Sequence, residues 1–460
     1  MTSLRTFYML VITQTLSLIG SKMTGLALGI WIFAETGKTT PLMLVAVFQT
    51  LPMMLGGSVA GVFADRWNRK AIMVTTDFGQ ALATLVLVGA FLTDQFSLPL
   101  LYVMVMIQAT LETLQSPAVA ATTSLMVPED ELDRANTVRQ LSMPLAGIIA
   151  PAITGVLYAT VGVTGVMSID LATFLIAVGV VSVLTIPQPE VTAESEATKG
   201  TVLQEIRGAW RFLRDRPAML ALIFFATFIN FILNGSLTLS VPYILSITDS
   251  EAAVGILQTI LNAGMVVGGV LFGMWGGTRP RIHSIMGGIF LMAVFLMIYG
   301  VARSPLALGL ALFFILFPNP AINSMFMSIT QLKTPPDMQG RVFALIMQFA
   351  MFATPLSLLV TGQVVDRILE PAVGTASWWG TVEPLVGNQA GAGMGLWMVL
   401  AGGILTIVTL IMYSVPNIRT MEADLPDYMP TTRELDSMQD TDGSADTPQS
   451  ATVGTTPTPA

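Results

Sequence analysis

Long apolar runs separated by short polar breaks recur along the whole chain. They cover residues 7–34, 40–63, 71–93, 99–126, 136–161, 163–186, 218–247, 252–276, 282–302, 305–331, 340–366 and 391–413. Each has the roughly 20 residues that an α-helix needs to cross a hydrocarbon layer of about 30 Å. In hydrocarbon, such a run satisfies its backbone only as a helix. The pattern predicts an all-α membrane protein of twelve transmembrane helices. One long polar connection divides it. Residues 1–186 form an N-terminal six-helix bundle, 187–217 a linker, and 218–413 a C-terminal six-helix bundle. Residues 414–460, rich in Ser, Thr, Pro and Asp, read as a disordered acidic tail. Within the linker, 201–216 places Val202, Ile206, Trp210 and Leu213 near helical spacing with arginines beside them, predicting an amphipathic helix on the inner membrane face.

Basic residues set the orientation. With the N-terminus inside, the inner connections hold 17 Lys and Arg and the outer ones 3 (Lys38, Arg303, Arg367). The positive-inside rule therefore puts both termini in the cytoplasm. Composition agrees, with 53% hydrophobic and 11% charged residues, against about 25% charged in soluble domains. The net charge of −8 lies mostly in the tail, where eight acids face two arginines. Nothing in this distribution suggests a nucleic-acid partner. The chain has no cysteine and one histidine, His283, which excludes disulfides and thiolate metal sites. There is no phosphate-cradling loop and no catalytic motif, so neither an enzyme nor a cofactor is expected.

The halves repeat weakly. Pro128 to Arg134 before the fifth run and Pro335 to Arg341 before the eleventh share a six-residue spacing and an offset of 207, and Gly61 and Gly269 lie 208 apart. Two similar halves with a path between them are a transporter architecture.

Gly61-Val-Phe-Ala-Asp65-Arg66-Trp-Asn68-Arg69-Lys70 resembles the loop signature of the major facilitator superfamily. Asn68 stands where the family usually has Gly, and Asn also tolerates a left-handed backbone. Ser116-Pro117-Ala118, Leu132-Asp-Arg134-Ala135-Asn136, Ile169-Asp170-Leu-Ala-Thr-Phe174 and Gly340-Arg341-Val342 resemble the branch containing macrolide-efflux proteins and the enterobactin exporter. The resemblance implies the major facilitator fold in the cell membrane. It also implies proton-driven export, by alternating access, of an amphiphilic compound such as a drug, macrolide or siderophore. The partners would be that small molecule, protons and membrane lipids, and a monomer suffices because one chain supplies both halves. The family's antiporter Gly-Pro motif is degraded, with Ala150 and Thr154 replacing glycines around Pro151. An importer or facilitator on the same fold, or a transport-dead sensor or scaffold, are the alternative readings.

The same resemblance implies a cytoplasmic gate around Gly61. Asp65 would dock near Gly340 and Arg341, favoured by the partial positive charge of a helix N-terminus. Arg66, Arg69 and Lys70 would bind acids or lipid phosphates, with Asp77 as the candidate acid. Inside the runs stand Lys22, Glu112 and Asp170, each costing about 2.5–3.5 kcal/mol at membrane depth unless paired or wet. Glu112 reads as a proton-coupling carboxylate tuned by Lys22, or as half of a static Lys22–Glu112 ion pair. Asp170 reads first as a structural hydrogen-bonding group. Gln108, Glu112 and Gln115 share one helical face. Asn230 with Asn234, Gln258 with Asn262, and Asn319 with Asn323 are i, i+4 amide pairs that orient a substrate or, more commonly, knit helices together.

Overall fold

The computed structural model describes residues 4–128, 131–185, 208 and 210–428; side chains at 58, 59, 61, 62, 64–66, 123–125, 133 and 337 lie outside that description. All regular elements among the described residues are helical. The N-terminal half holds α1 (Leu4–Thr36), α2 (Thr40–Arg66), α3 (Arg69–Leu92), α4 (Leu98–Met126) and α5 (Leu132–Val183). The C-terminal half holds α6 (Pro217–Thr238), α7 (Ser240–Thr248), α8 (Glu251–Trp275), α9 (Arg281–Val301), α10 (Pro305–Leu316), α11 (Asn319–Leu332), α12 (Pro336–Val364), α13 (Trp379–Val386) and α14 (Ala392–Ser414). Among the described residues, eleven helical stretches are long and apolar enough to cross a membrane.

The fifth and sixth runs form one hydrogen-bonded element, α5, of 52 residues with a break at Gly162, where φ is 66° and ψ −175°. Only glycine adopts that backbone cheaply. A straight helix of this length would reach about 78 Å. Instead Leu132, Ala135 and Val138 at its start pack in one apolar cluster with Val180, Val181 and Leu184 at its end. The arms 132–161 and 163–183 are therefore antiparallel. The seventh run divides into α6 and α7 at Leu239, and the tenth into α10 and α11 at Phe317–Pro318.

Helix starts follow from sequence. Ser97, Ser250 and Ser304 accept from the backbone N–H three residues on, capping α4, α8 and α10. Asn68 caps α3 the same way, accepting from Ala71 N at 3.0 Å with φ −62°. The left-handed turn expected at Asn68 is thus corrected. The residue is extended, and its side chain, which glycine lacks, completes the cap.

The tail expectation is also corrected. Residues 416–428 are ordered against the C-terminal half. Ile418 and Met421 are buried in its core. Lys333, 3% exposed, donates to the carbonyls of Glu422 (2.5 Å) and Leu425 (2.6 Å) and pairs with Asp427 (2.8 Å). Glu422 also pairs with Arg281 at 3.2 Å. These contacts bury a lysine and use its three donors, an arrangement the bare composition could not show. Residues beyond 428 and most of the linker lie outside the described residues; of the predicted linker helix, 208 and 210–214 are helical.

The halves meet at the end where α1 finishes and α2 begins. Ile30, Met43 and Val47 belong to the apolar core of the C-terminal half. At the opposite end, the cluster around Phe7, Met73, Met126 and Ala135 draws only on the N-terminal half. The first arm of α5 lies on α8 through small residues. A Cβ at Gly155 would stand 3.0 Å from the Gly255 Cα, so the two backbones touch.

A polar cavity in the N-terminal half

α1, α3, α4 and α5 line a cavity of about 300 Å³, and a second of about 280 Å³ is lined by the same helices with α2 and with Thr238 of α6; the two share Ser21, Gln80, Glu112 and Phe174. Polar positions recur on one face of each helix. On α4 these are Gln108, Glu112 and Gln115, and on α1 Gln14, Ser17, Ser21 and Thr24. Helical spacing turns both stripes to the same interior.

Asp77, 1% exposed, anchors one end. Its carboxylate accepts from Gln115 Nε2 at 2.6 Å and from Gln14 Nε2 at 3.0 Å. Gln115 in turn accepts from Gln80 at 3.1 Å and donates to Gln14 at 3.2 Å. Four side chains from three helices thus form a closed network, in which each bond polarises the next. Asp170, also 1% exposed, anchors the other end. It accepts from Thr24 at 2.8 Å and Ser21 at 3.4 Å. Gly20 makes this possible, since a Cβ there would stand 2.7 Å from Asp170 Oδ1.

Glu112 lies between the two. It lines both cavities, is exposed within them, and accepts no hydrogen bond from a described residue. Lys22 lines neither cavity. The ion pairs among the described residues, at N–O distances up to 4.0 Å, are Arg134–Glu131, Arg281–Glu422 and Lys333–Asp427. No contact between Lys22 and Glu112 is among them, so the two do not form a direct ion pair. Arg139 is the basic side chain that lines a cavity with Glu112 and Asp77.

Gln108 donates to Thr84 at 2.9 Å. In the C-terminal half, the side-chain N–H groups of Asn230, Asn234 and Asn262 bond the carbonyl one turn back on their own helix, at 2.7–2.9 Å. Gln258 bonds Ser240 Oγ at 2.8 Å. Asn262 packs on Gly147 of α5, so this amide sits in the interface between halves. Asn230, Asn319 and Asn323 line a separate pocket of about 320 Å³. Asn234 lines none of these three spaces.

The expected gate is only partly described, since the side chains of Asp65 and Arg66 and the surroundings of Gly61 lie outside the described residues. Arg69 bonds the Ala121 carbonyl at 2.9 Å, and Lys70 the Ser182 carbonyl at 2.6 Å, near the C-terminal end of α5. Both therefore tie the N-terminal half together. Arg341 is exposed, and a Cβ at Gly340 would meet nothing within 4 Å. Asp77 does not belong with them. Two turns into α3, it faces the cavity, and its hydrogen-bond partners are the amides of Gln14 and Gln115 rather than the loop's basic groups.

Gln14, Gln80, Ser21, Thr24 and Arg139 were not singled out from sequence. The signal existed on α1, where four polar residues at helical spacing interrupt an apolar run. Gln80 shares its face of α3 with Thr76, Asp77 and Thr84, all buried, a second polar stripe at helical spacing.

A model of the Major Facilitator Superfamily matches residues 10–358. Macrolide efflux protein A of Streptococcus pyogenes is 24% identical over 425 residues, which span 90% of this chain and 97% of that one. Enterobactin exporter EntS of Citrobacter koseri is 26% identical over 359 residues, spanning 73% and 79%. The crystal structure of a bacterial homolog of the human lysosomal transporter Spinster, inward-facing and unoccupied, superposes with a TM-score of 0.69 at 15% identity, covering 89% of this chain and 97% of that one. Sequence and fold agree: the chain belongs to the major facilitator superfamily, and it is a membrane transporter rather than an enzyme.

Proposed function

We propose that this protein is a proton-coupled exporter of amphiphilic organic compounds. It crosses the cell membrane twelve times with both termini in the cytoplasm and acts as a monomer. The two arms of α5 supply the twelfth crossing, and the Lys and Arg distribution supplies the orientation. The efflux proteins similar to this chain support the direction of transport.

One observation carries the coupling: Glu112 opens onto both cavities, between buried Asp77 and Asp170. A carboxyl group moves a proton through an apolar barrier because its neutral form is far less costly to desolvate than its charged form. Asp77 and Asp170 have their oxygens engaged by neighbours, whereas Glu112 is free to exchange its proton with water or ligand. A cationic or donor-bearing substrate entering the cavity competes with the proton for Glu112. That competition is what antiport requires. Lys22 modulates Glu112 only at a distance. Asp65, with Gly340 and Arg341, closes the cytoplasmic end when the halves rock.

Reconstituted protein tests this reading. Internal pH is followed while macrolides, siderophores and lipophilic dyes are added. Substrate-triggered proton movement, lost in Glu112→Gln, is expected. Proton movement that persists in the variant removes Glu112 from the coupling role.

A further inference from the structure

Trp378 and Trp379 are neighbours with opposite surroundings. Trp379 is 1% exposed in the apolar core of the C-terminal half, and its indole N–H donates to the Gly387 carbonyl at 3.3 Å. Trp378 is 44% exposed, and its indole N–H has no partner among the described residues. Trp378 has helical backbone and heads α13. Helical spacing divides α13 into strips. Trp379, Val382 and Val386 (i, i+3, i+7) pack on the core. Trp378 and Leu385 (i, i+7) flank that strip and are exposed, Leu385 by 52%. Gly380, Glu383 and Pro384 complete the surface, and Glu383 carries its charge. The apolar arc is therefore wider than the protein that covers it.

What covers the remainder follows from where α13 is held. It connects two membrane-crossing stretches, one ending at Ala372 and the next starting at Ala392. Arg303, just past the end of α9, donates to the Val386 carbonyl. Glu370, before α13, accepts from the Met394 N–H in the first turn of α14 at 3.0 Å. The helix is thereby pinned against the ends of α9, α12 and α14, the level at which these helices leave hydrocarbon. Gly362, in the last turn of α12, packs on Thr40 and Met43 of α2, so this is the end where the halves meet. Large apolar residues are exposed on either side of α13 as well, Ile368 in the stretch before it and Leu306 at the start of α10.

We propose that Trp378 and Leu385 make α13 an interfacial anchor, inserted into the lipid leaflet at the end where the halves meet. Its partner is the glycerol and headgroup layer of a phospholipid bilayer. Leu385 and the indole ring enter the apolar side of that layer, and the Trp378 N–H donates to an ester or phosphate oxygen. Tryptophan collects at this level because its ring is apolar while its N–H is polar. The face offers no cation, so it does not depend on lipid charge. Through Arg303 and Glu370 the anchor fixes the depth of the ends of α9 and α14 against the bilayer. The proposal goes beyond the exporter reading and is independent of the substrate.

The chain has no cysteine, so nitroxides at Trp378→Cys, Leu385→Cys and Glu383→Cys can be placed singly in the full chain in phosphatidylcholine vesicles. Oxygen concentrates in the bilayer, and a nickel chelate stays in water. Labels at 378 and 385 are expected to collide severalfold more with oxygen than with the chelate, at a depth of about 5–10 Å into the headgroup and acyl boundary. The label at 383 is expected to do the reverse. A second measurement needs no label: brominated phosphatidylcholine quenches tryptophan, and Trp378→Phe is expected to lose part of the quenching seen in wild type. Chelate access at 378 and 385 equal to that at 383 would put the face in water and overturn the anchor. Low access to both reagents at 378 and 385 would put protein on the face, a second copy included, and overturn it equally. Quenching unchanged in Trp378→Phe would do the same.

Discussion

The carboxylate of Asp366 caps the N-terminus of α2 from the other half of the molecule, taking the backbone N–H of Thr40 at 2.6 Å. Its second oxygen accepts from the Thr39 N–H at 2.9 Å and the Thr39 hydroxyl at 2.8 Å. Asp366 belongs to the π-turn Val365–Leu369 that follows α12. Beneath it, Gly362 stands close enough to α2 that a Cβ would lie 3.2 Å from the Thr40 Cα. A carboxylate on the free N–H groups of a helix start is favoured by both charge and geometry. Here it fastens the two halves at the end where they meet.

Asp366→Ala should loosen that end. Because the chain has no natural cysteine, spin labels at Gln95→Cys and Thr375→Cys, one exposed position on each half, report the separation directly. The variant should populate longer distances, on the order of 1–3 kcal/mol of closed-state stability being lost with the charged hydrogen bonds. An unchanged distance distribution would show that Asp366 does not hold the closure.

Glu112 and Gln115 are one helical turn apart and should respond oppositely to substitution. Gln115→Leu leaves the buried Asp77 carboxylate without its 2.6 Å donor and should cost about 1–3 kcal/mol, read as a lower melting temperature in detergent. Glu112→Gln breaks no hydrogen bond, so the melting temperature should hold while proton-coupled transport is lost. A Glu112→Gln protein as unstable as Gln115→Leu would mark Glu112 as structural.

Truncation should separate two parts of the tail. Ending the chain after residue 428 should leave stability unchanged. Ending it after residue 414 strips Lys333 of Glu422, Leu425 and Asp427. Breaking a buried charge from its partners costs about 3–5 kcal/mol. Limited proteolysis and thermal unfolding would detect this, and equal stability of the two truncations would contradict the docked strap.

Gly255→Leu should disrupt the α5–α8 contact. Its Cβ would collide with the Pro151 carbonyl and the Gly155 backbone, and backbone cannot move aside as a side chain can. Overpacking of this kind costs about 1–3 kcal/mol or more. Gly273→Ala on the same helix, where a Cβ meets nothing within 4 Å, is the control and should retain transport. Equal behaviour of the two variants would remove the close approach as the cause.

The chain's apolar runs determined the helices by themselves, because a bilayer leaves the backbone of a crossing segment no other way to satisfy its N–H and C=O groups. Serine and asparagine caps were equally local, since a cap needs only the three residues that follow it. The i, i+4, i+7 stripe on α4 was legible for the same reason. What sequence could not decide was which stripes face each other. Lys22 and Glu112 looked like partners by depth and by the helices that carry them, yet they make no direct ion pair, and only Glu112 lines the cavities. Asp77 looked like part of the loop because it follows the loop, yet rotation along α3 turns it onto Gln14 and Gln115, 63 and 38 residues away in sequence. The tail's acidic composition hid the short segment that satisfies Lys333. Asp366 gave no sign at all, because its partners on α2 are 326 and 327 residues away. Periodicity fixes the face of a helix relative to its own axis, and only packing fixes how that axis is turned against its neighbours.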